Sequence, residues 1–141
     1  MMPKQRRGVD AVAKPSRAAS RGFMVLALVL AVTAWPAQAA GDAEAGRRGF
    51  AKCASCHQVG PSARAGFGPQ LNGIIGRQAG ATADYNYSAA MKNSGIVWTE
   101  DRLAAFLKSP DEVVPGNKMR FFGIRSEHQV ADLLAYLRQY R

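Results

Sequence analysis

Acidic side chains are in short supply in this chain of 141 residues: ten Asp and Glu stand against nineteen Lys and Arg, a formal net charge of +9. An excess of that size invites a nucleic-acid reading, but it is unevenly placed. Residues 1–39 hold six basic side chains (Lys4, Arg6, Arg7, Lys14, Arg17, Arg21) against one acid, Asp10. The other 102 residues carry thirteen basic and nine acidic groups. A nucleic-acid reading would lean mainly on the leader segment and is weak, so no nucleic-acid partner is expected. Long apolar runs are missing too. The longest, Phe23 to Ala34, has twelve residues, whereas a bilayer-spanning helix needs about 20.

That short run has another use. A basic stretch precedes it, Pro36 follows it, and Ala37-Gln38-Ala39 supplies the small-x-small pattern at which leaders are cut; together these features describe a secretory signal. Residues 1–39 are therefore expected to be a signal peptide cleaved after Ala39, with residues 40–141 forming one exported, periplasmic domain. An uncleaved leader serving as a membrane anchor is the alternative.

Cysteine and histidine are scarcer still, at two each. A four-ligand zinc site would have to gather Cys53, Cys56, His57 and His128, whose spacing is not that of a finger. A Cys53–Cys56 disulfide would close too short a loop to restrict the unfolded chain. A thiol-exchange C-x-x-C follows a strand in a βαβ unit, and no alternating strand pattern precedes Cys53. What remains is Cys53-Ala54-Ser55-Cys56-His57, the C-x-x-C-H haem attachment signature. Two thiols three residues apart at a helix end can each add to one vinyl group of a haem, and the adjacent imidazole then lies under the iron.

Strand patterns are absent throughout, as are internal repeats. Asp42 is placed to cap a helix running to about Lys52. Short helices are expected over Leu71–Ile75 and Ser88–Asn93. Thr99 caps a further helix with Leu103, Phe106 and Leu107 on one face, and Pro110 lies just past its end. Ser126 and Gln129 form a capping box for the last helix, where Val130, Leu133, Leu134 and Leu137 recur at helical spacing. The fold class is all-α, with short helices and long loops. So few helices make a thin core, and a large buried apolar cofactor would supply its missing centre.

Iron held by one histidine needs a sixth ligand or an open position. Beyond the leader the candidates are Met91, Met119 and His128. Met91 lies in a helical stretch and reads as packing, and His128 as a solvent-facing residue near a helix start. Met119 follows the turn sequence Pro115-Gly116-Asn117-Lys118, which can hold a flexible thioether at a fixed point; the alternative is a gap-filling core methionine.

Several dispersed stretches now fall into order: Gly41-Asp42, Gly46 and Phe50, the attachment motif, Gly68-Pro69-Gln70-Leu71, Gly76-Arg77, Asn93 to Trp98, Val114 to Met119, and Asp132 to Leu137. With them, essentially the whole of residues 40–141 resembles a class I c-type cytochrome of the mitochondrial cytochrome c or bacterial cytochrome c2 type. The resemblance implies one haem c attached through Cys53 and Cys56, with His57 and Met119 as axial ligands. It implies that the Pro69 carbonyl orients His57, that Arg77, Tyr87 and Trp98 hold the haem propionates, and that Gly46 and Phe50 pack on Leu133 and Tyr136 where the first and last helices cross. It also marks departures. Phe106 stands where the family often has a tyrosine near the methionine sulfur, and Met91 where it commonly has a haem-pocket asparagine.

Two filled axial positions leave none for a substrate, so the expected function is one-electron carriage by a monomer, not enzymatic turnover. The expected partners are redox proteins: a quinol–cytochrome c reductase-type donor, and an oxidase or reaction-centre acceptor. They would dock near Lys52, Lys118, Arg120 and Arg125, on a face weakened by Asp111 and Glu112. The alternatives are a haem subunit of a periplasmic dehydrogenase complex and a haem peroxidase.

Overall fold

The computed structural model describes residues 41–141, so the signal segment and its cleavage after Ala39 lie outside the described residues. Five helices follow in order: α1 (Ala43–Phe50), α2 (Ala89–Lys92), α3 (Glu100–Lys108), α4 (Pro110–Val113) and α5 (Glu127–Leu137). Among the described residues the only extended pairing is an isolated bridge between Gln78 and Val97, and no helix is long and apolar enough to cross a membrane. The all-α reading with a large share of loop holds.

The N-cap side chains act where the sequence places them, but of the capping box at α5 only the Ser126 half is formed. Asp42 accepts hydrogen bonds from the Glu44 and Ala45 amides at 2.8 and 3.2 Å, and these donors lower its pKa. Thr99 caps Arg102 and Ser126 caps Gln129, at 3.2 and 3.3 Å. Each bond satisfies an amide that the first turn would otherwise leave unpaired.

Helix α1 crosses α5 at Gly46. A Cβ there would come within 2.8 Å of Tyr136 Cβ and would collide with the Asp132 carbonyl. Beside the crossing, the Phe50 and Tyr136 rings meet with centroids 5.4 Å apart. Buried Asp132 ties the same junction, accepting from the Asp42 amide at 2.7 Å and lying 3.0 Å from His128 Nδ1. Leu103, Phe106 and Leu107 of α3 and Val130, Leu133, Leu134 and Leu137 of α5 extend the core, which Ile74, Ala79, Met91, Trp98 and Val114 join from α2 and the loops.

Two expectations are corrected. Helix α1 stops at Phe50 and gives way to turns through Cys56. Leu71–Ile75 makes turns and no helix, because Gly73 adopts a φ of +62°, a conformation that a right-handed helix cannot contain. Pro110 lies just past the end of α3, as expected, and there begins a one-turn helix, α4, that the sequence did not announce; at a first helical position its missing N–H costs nothing. His128 is exposed, as expected, but it also contacts Asp132.

Candidate haem site

The turns after α1 carry Cys53, Cys56 and His57 to the wall of a cavity of about 410 Å³. Cys53 N–H bonds to Phe50 O at 2.7 Å and His57 N–H to Cys53 O at 2.9 Å, so the motif continues the helical path in tightened turns. Both cysteines are free thiols. Burial pushes the Cys53 thiol above its ordinary value, with Lys52 opposing.

His57 Nδ1 lies 2.8 Å from the Pro69 carbonyl oxygen. A carbonyl only accepts, so Nδ1 carries the proton and Nε2 keeps a lone pair in the neutral ring. Burial lowers the His57 pKa, against the opposing effect of the Pro69 bond; the neutral form is the one that ligates a metal. Gly68 lets the loop lie against the ring, since a Cβ there would come within 2.6 Å of His57 Cε1.

Met119 lines the same cavity, as do Pro69, Arg77, Tyr87, Trp98, Met91 and Phe106. Trp98 and Phe106 pack with centroids 5.0 Å apart. The half-buried Arg77 guanidinium donates from Nη1 to Asn72 O and from Nη2 to Gln70 O, at 3.0 and 2.9 Å. Its remaining N–H donors are free of those bonds. Tyr87 shares a hydrogen bond with Thr82 and packs edge-on against Tyr85, whose hydroxyl donates to Phe67 O at 3.1 Å. Lys52, Lys118 and Arg120 also line the cavity. Arg125 is exposed but is not part of the lining, so the structure gathers three of the four expected docking cations at the cavity itself.

Sequence reasoning passed over the side chain of Asn117. Its Oδ1 accepts the Met119 amide at 2.7 Å, while its Nδ2 donates to Asp111 Oδ1 and Val114 O at 2.9 and 3.0 Å. The available signal was an Asn two residues before a proposed ligand, a type that bonds backbone amides two residues on.

The residues present fit a haem. Two free thiols, a neutral imidazole and a thioether share one cavity whose other walls include Phe50, Leu71, Ile74 and Leu133. Among the described residues no three His, Cys, Asp or Glu side chains gather to hold a bare ion. A haem iron would need few donors from the protein, and His57 and Met119 both line this cavity. This combination defines a c-type haem protein.

Comparison with known proteins gives the family. A sequence model of cytochrome c matches residues 43–141. The chain is 46% identical over 114 residues to cytochrome c2 of Rhodomicrobium vannielii, covering 79% of this chain and 91% of that one. It is 45% identical over 117 residues to cytochrome c-554 of Methylosinus trichosporium, covering 83% and 89%. The solved structure of cytochrome cH from Methylobacterium extorquens matches with a TM-score of 0.66 at 43% identity, covering 70% of this chain and 99% of that one. The chain belongs to the cytochrome c family. It is a class I c-type cytochrome with one covalently bound haem c, and an electron carrier rather than an enzyme; the resemblance read from the sequence is borne out.

Proposed function

We propose that this chain is a periplasmic carrier of single electrons. Residues 1–39 would export it and be cleaved after Ala39, leaving residues 40–141 as a monomeric haem domain. In this reading His57 and Met119 would hold the iron. The observation that carries it is that His57, fixed by Pro69 O at 2.8 Å, lines one cavity with Met119, Cys53 and Cys56.

When bound, the haem supplies a one-electron Fe(III)/Fe(II) couple. The chain supplies everything else. Cys53 and Cys56 would tether the group so that it could not leave with an electron. Pro69 holds the His57 ring in one tautomer and orientation, and a hydrogen bond of this kind also makes the ligating nitrogen more basic. The Met119 thioether raises the potential. Arg77, Tyr87 and Trp98, which line the cavity, would hold the propionates. Buried Phe106 and Met91 put apolar atoms in the cavity lining where a hydroxyl and a carboxamide are common in the family.

Lys52, Lys118, Arg120 and Arg125 steer acidic redox partners toward the cavity mouth. The partners proposed are a quinol–cytochrome c reductase-type donor and an oxidase or reaction-centre acceptor. Carbon monoxide mixed with the ferrous holoprotein is the test that separates carrier from enzyme. No rapid binding is expected; rapid binding would show an open iron position and overturn this reading.

A further inference from the structure

Met119 sits in a segment with little to hold it. For residues 118–125 the backbone–backbone bonds among the described residues reduce to one, from Ile124 N to Leu107 O at 2.8 Å. Close to Met119 the restraints come from side chains. Lys118 Nζ reaches Asn86 O at 3.0 Å, and Asn117 Oδ1 accepts the amide of Met119 itself at 2.7 Å.

Asn117 is in turn held on three sides. Its backbone N–H closes a turn to Val114 O at 3.1 Å. In that turn Pro115 presets one central residue and Gly116 takes the positive φ, +82°, that a type II turn demands at the next. Its Nδ2 donates to Val114 O and to Asp111 Oδ1. Both partners can only accept, so the carboxamide has one satisfactory orientation, with Oδ1 toward Met119. Asp111 lies in α4, which is anchored by the buried Pro110.

We infer that Asn117, braced by Asp111, is the positioning residue for Met119: the carboxamide carries the fixed geometry of α4 to the ligand's backbone and so disfavours departure of the thioether from the iron. This rests on Met119 as the sixth ligand. It concerns how firmly that ligand is held, and it assigns a role to an acid on a face otherwise read for its basic charge.

The experiment uses ferric holoprotein and imidazole, a small ligand that competes with Met119. Three quantities are read: the far-red thioether–iron charge-transfer band, the apparent imidazole affinity, and the thermal midpoint. Asn117→Ala is expected to weaken the band and to raise imidazole affinity roughly tenfold, the worth of about one hydrogen bond. Asp111→Ala is expected to raise it about threefold, by loosening the same carboxamide. Asp111→Asn keeps a carbonyl acceptor for Asn117 Nδ2 and is expected to restore the original affinity. Asp111 is exposed, so its variants keep the test open should Asn117→Ala fold poorly.

Unchanged imidazole affinity in both alanine variants would overturn the inference, as would a lowered midpoint with an unchanged band and affinity. Asp111→Asn behaving like Asp111→Ala would overturn the bracing role. An unsubstituted protein that lacks the band, and binds imidazole like Met119→Ala, would instead refute Met119 ligation itself, before any Asn117 or Asp111 variant is read.

Discussion

His57 Nδ1 and the Pro69 carbonyl oxygen lie 2.8 Å apart, and this one bond decides which histidine nitrogen is left to face a metal. It is formed because Gly68 draws the chain so close to the ring. Gly68→Ala would place a Cβ within 2.6 Å of His57 Cε1 and 2.8 Å of Nδ1. Overpacking of this kind costs about 1–3 kcal/mol. Denaturant unfolding of the holoprotein should show that loss, together with a shifted reduction potential; an unchanged potential would mean that the ring keeps its place without Gly68.

The α1–α5 crossing makes a second demand on a missing side chain. Gly46→Ala introduces a Cβ 2.8 Å from Tyr136 Cβ and in collision with the Asp132 carbonyl, so two backbones must separate. A loss of about 3 kcal/mol is expected, measured by denaturant unfolding. Gly49→Ala, on the same helix with nothing within 4 Å of the added Cβ, should be neutral or slightly stabilising.

Tyr136 gives a pH dependence with a definite sign. Burial and the hydrogen bond with Tyr140 push its pKa up to about 12, from an ordinary 10.0. The folded form therefore keeps a proton that the unfolded chain gives up. The stabilisation is complete below pH 10 and is lost as pH rises toward 12. Phenolate absorbance should reveal a late-titrating tyrosine that Tyr136→Phe removes. A protein whose tyrosines all titrate near the ordinary value would contradict this.

Steering predicts a salt dependence. Reduction of the anionic oxidant ferricyanide should slow as ionic strength rises, because Lys118 and Arg120 line the cavity and their attraction is screened over about 10 Å at 0.1 M salt. Reversing both charges, Lys118→Glu with Arg120→Glu, should slow the low-salt reaction by roughly tenfold and flatten its salt dependence. Stopped-flow rates indifferent to salt in the unsubstituted protein would remove the steering role.

What was legible in the sequence follows the range of the interactions. The attachment motif is five consecutive residues, and the starts of α1, α3 and α5 are set by caps acting within one turn. The single turn of α4 was hidden because Pro110 serves equally well to end one helix or begin another. Leu71–Ile75 has helical spacing but contains Gly73, whose φ is fixed by the fold around it. The Asn117 clamp escaped for a different reason. Its partners, Asp111 and Met119, lie six residues before it and two after it, and only the turn at Pro115-Gly116 brings all three together. Met119 was legible as a candidate from the turn before it, whereas cavity neighbours such as Arg77, Tyr87 and Trp98 came from the family resemblance, since no periodicity in the chain connects them.

An optical redox titration of protein matured with its haem tests Met119 ligation most directly. A reversible one-electron couple at clearly positive potential is predicted, low-spin in both states, with the far-red thioether–iron band in the ferric form and its loss in Met119→Ala. A high-spin form, or a couple at low potential without that band, would contradict ligation by Met119 and, with it, the closed electron-carrier site.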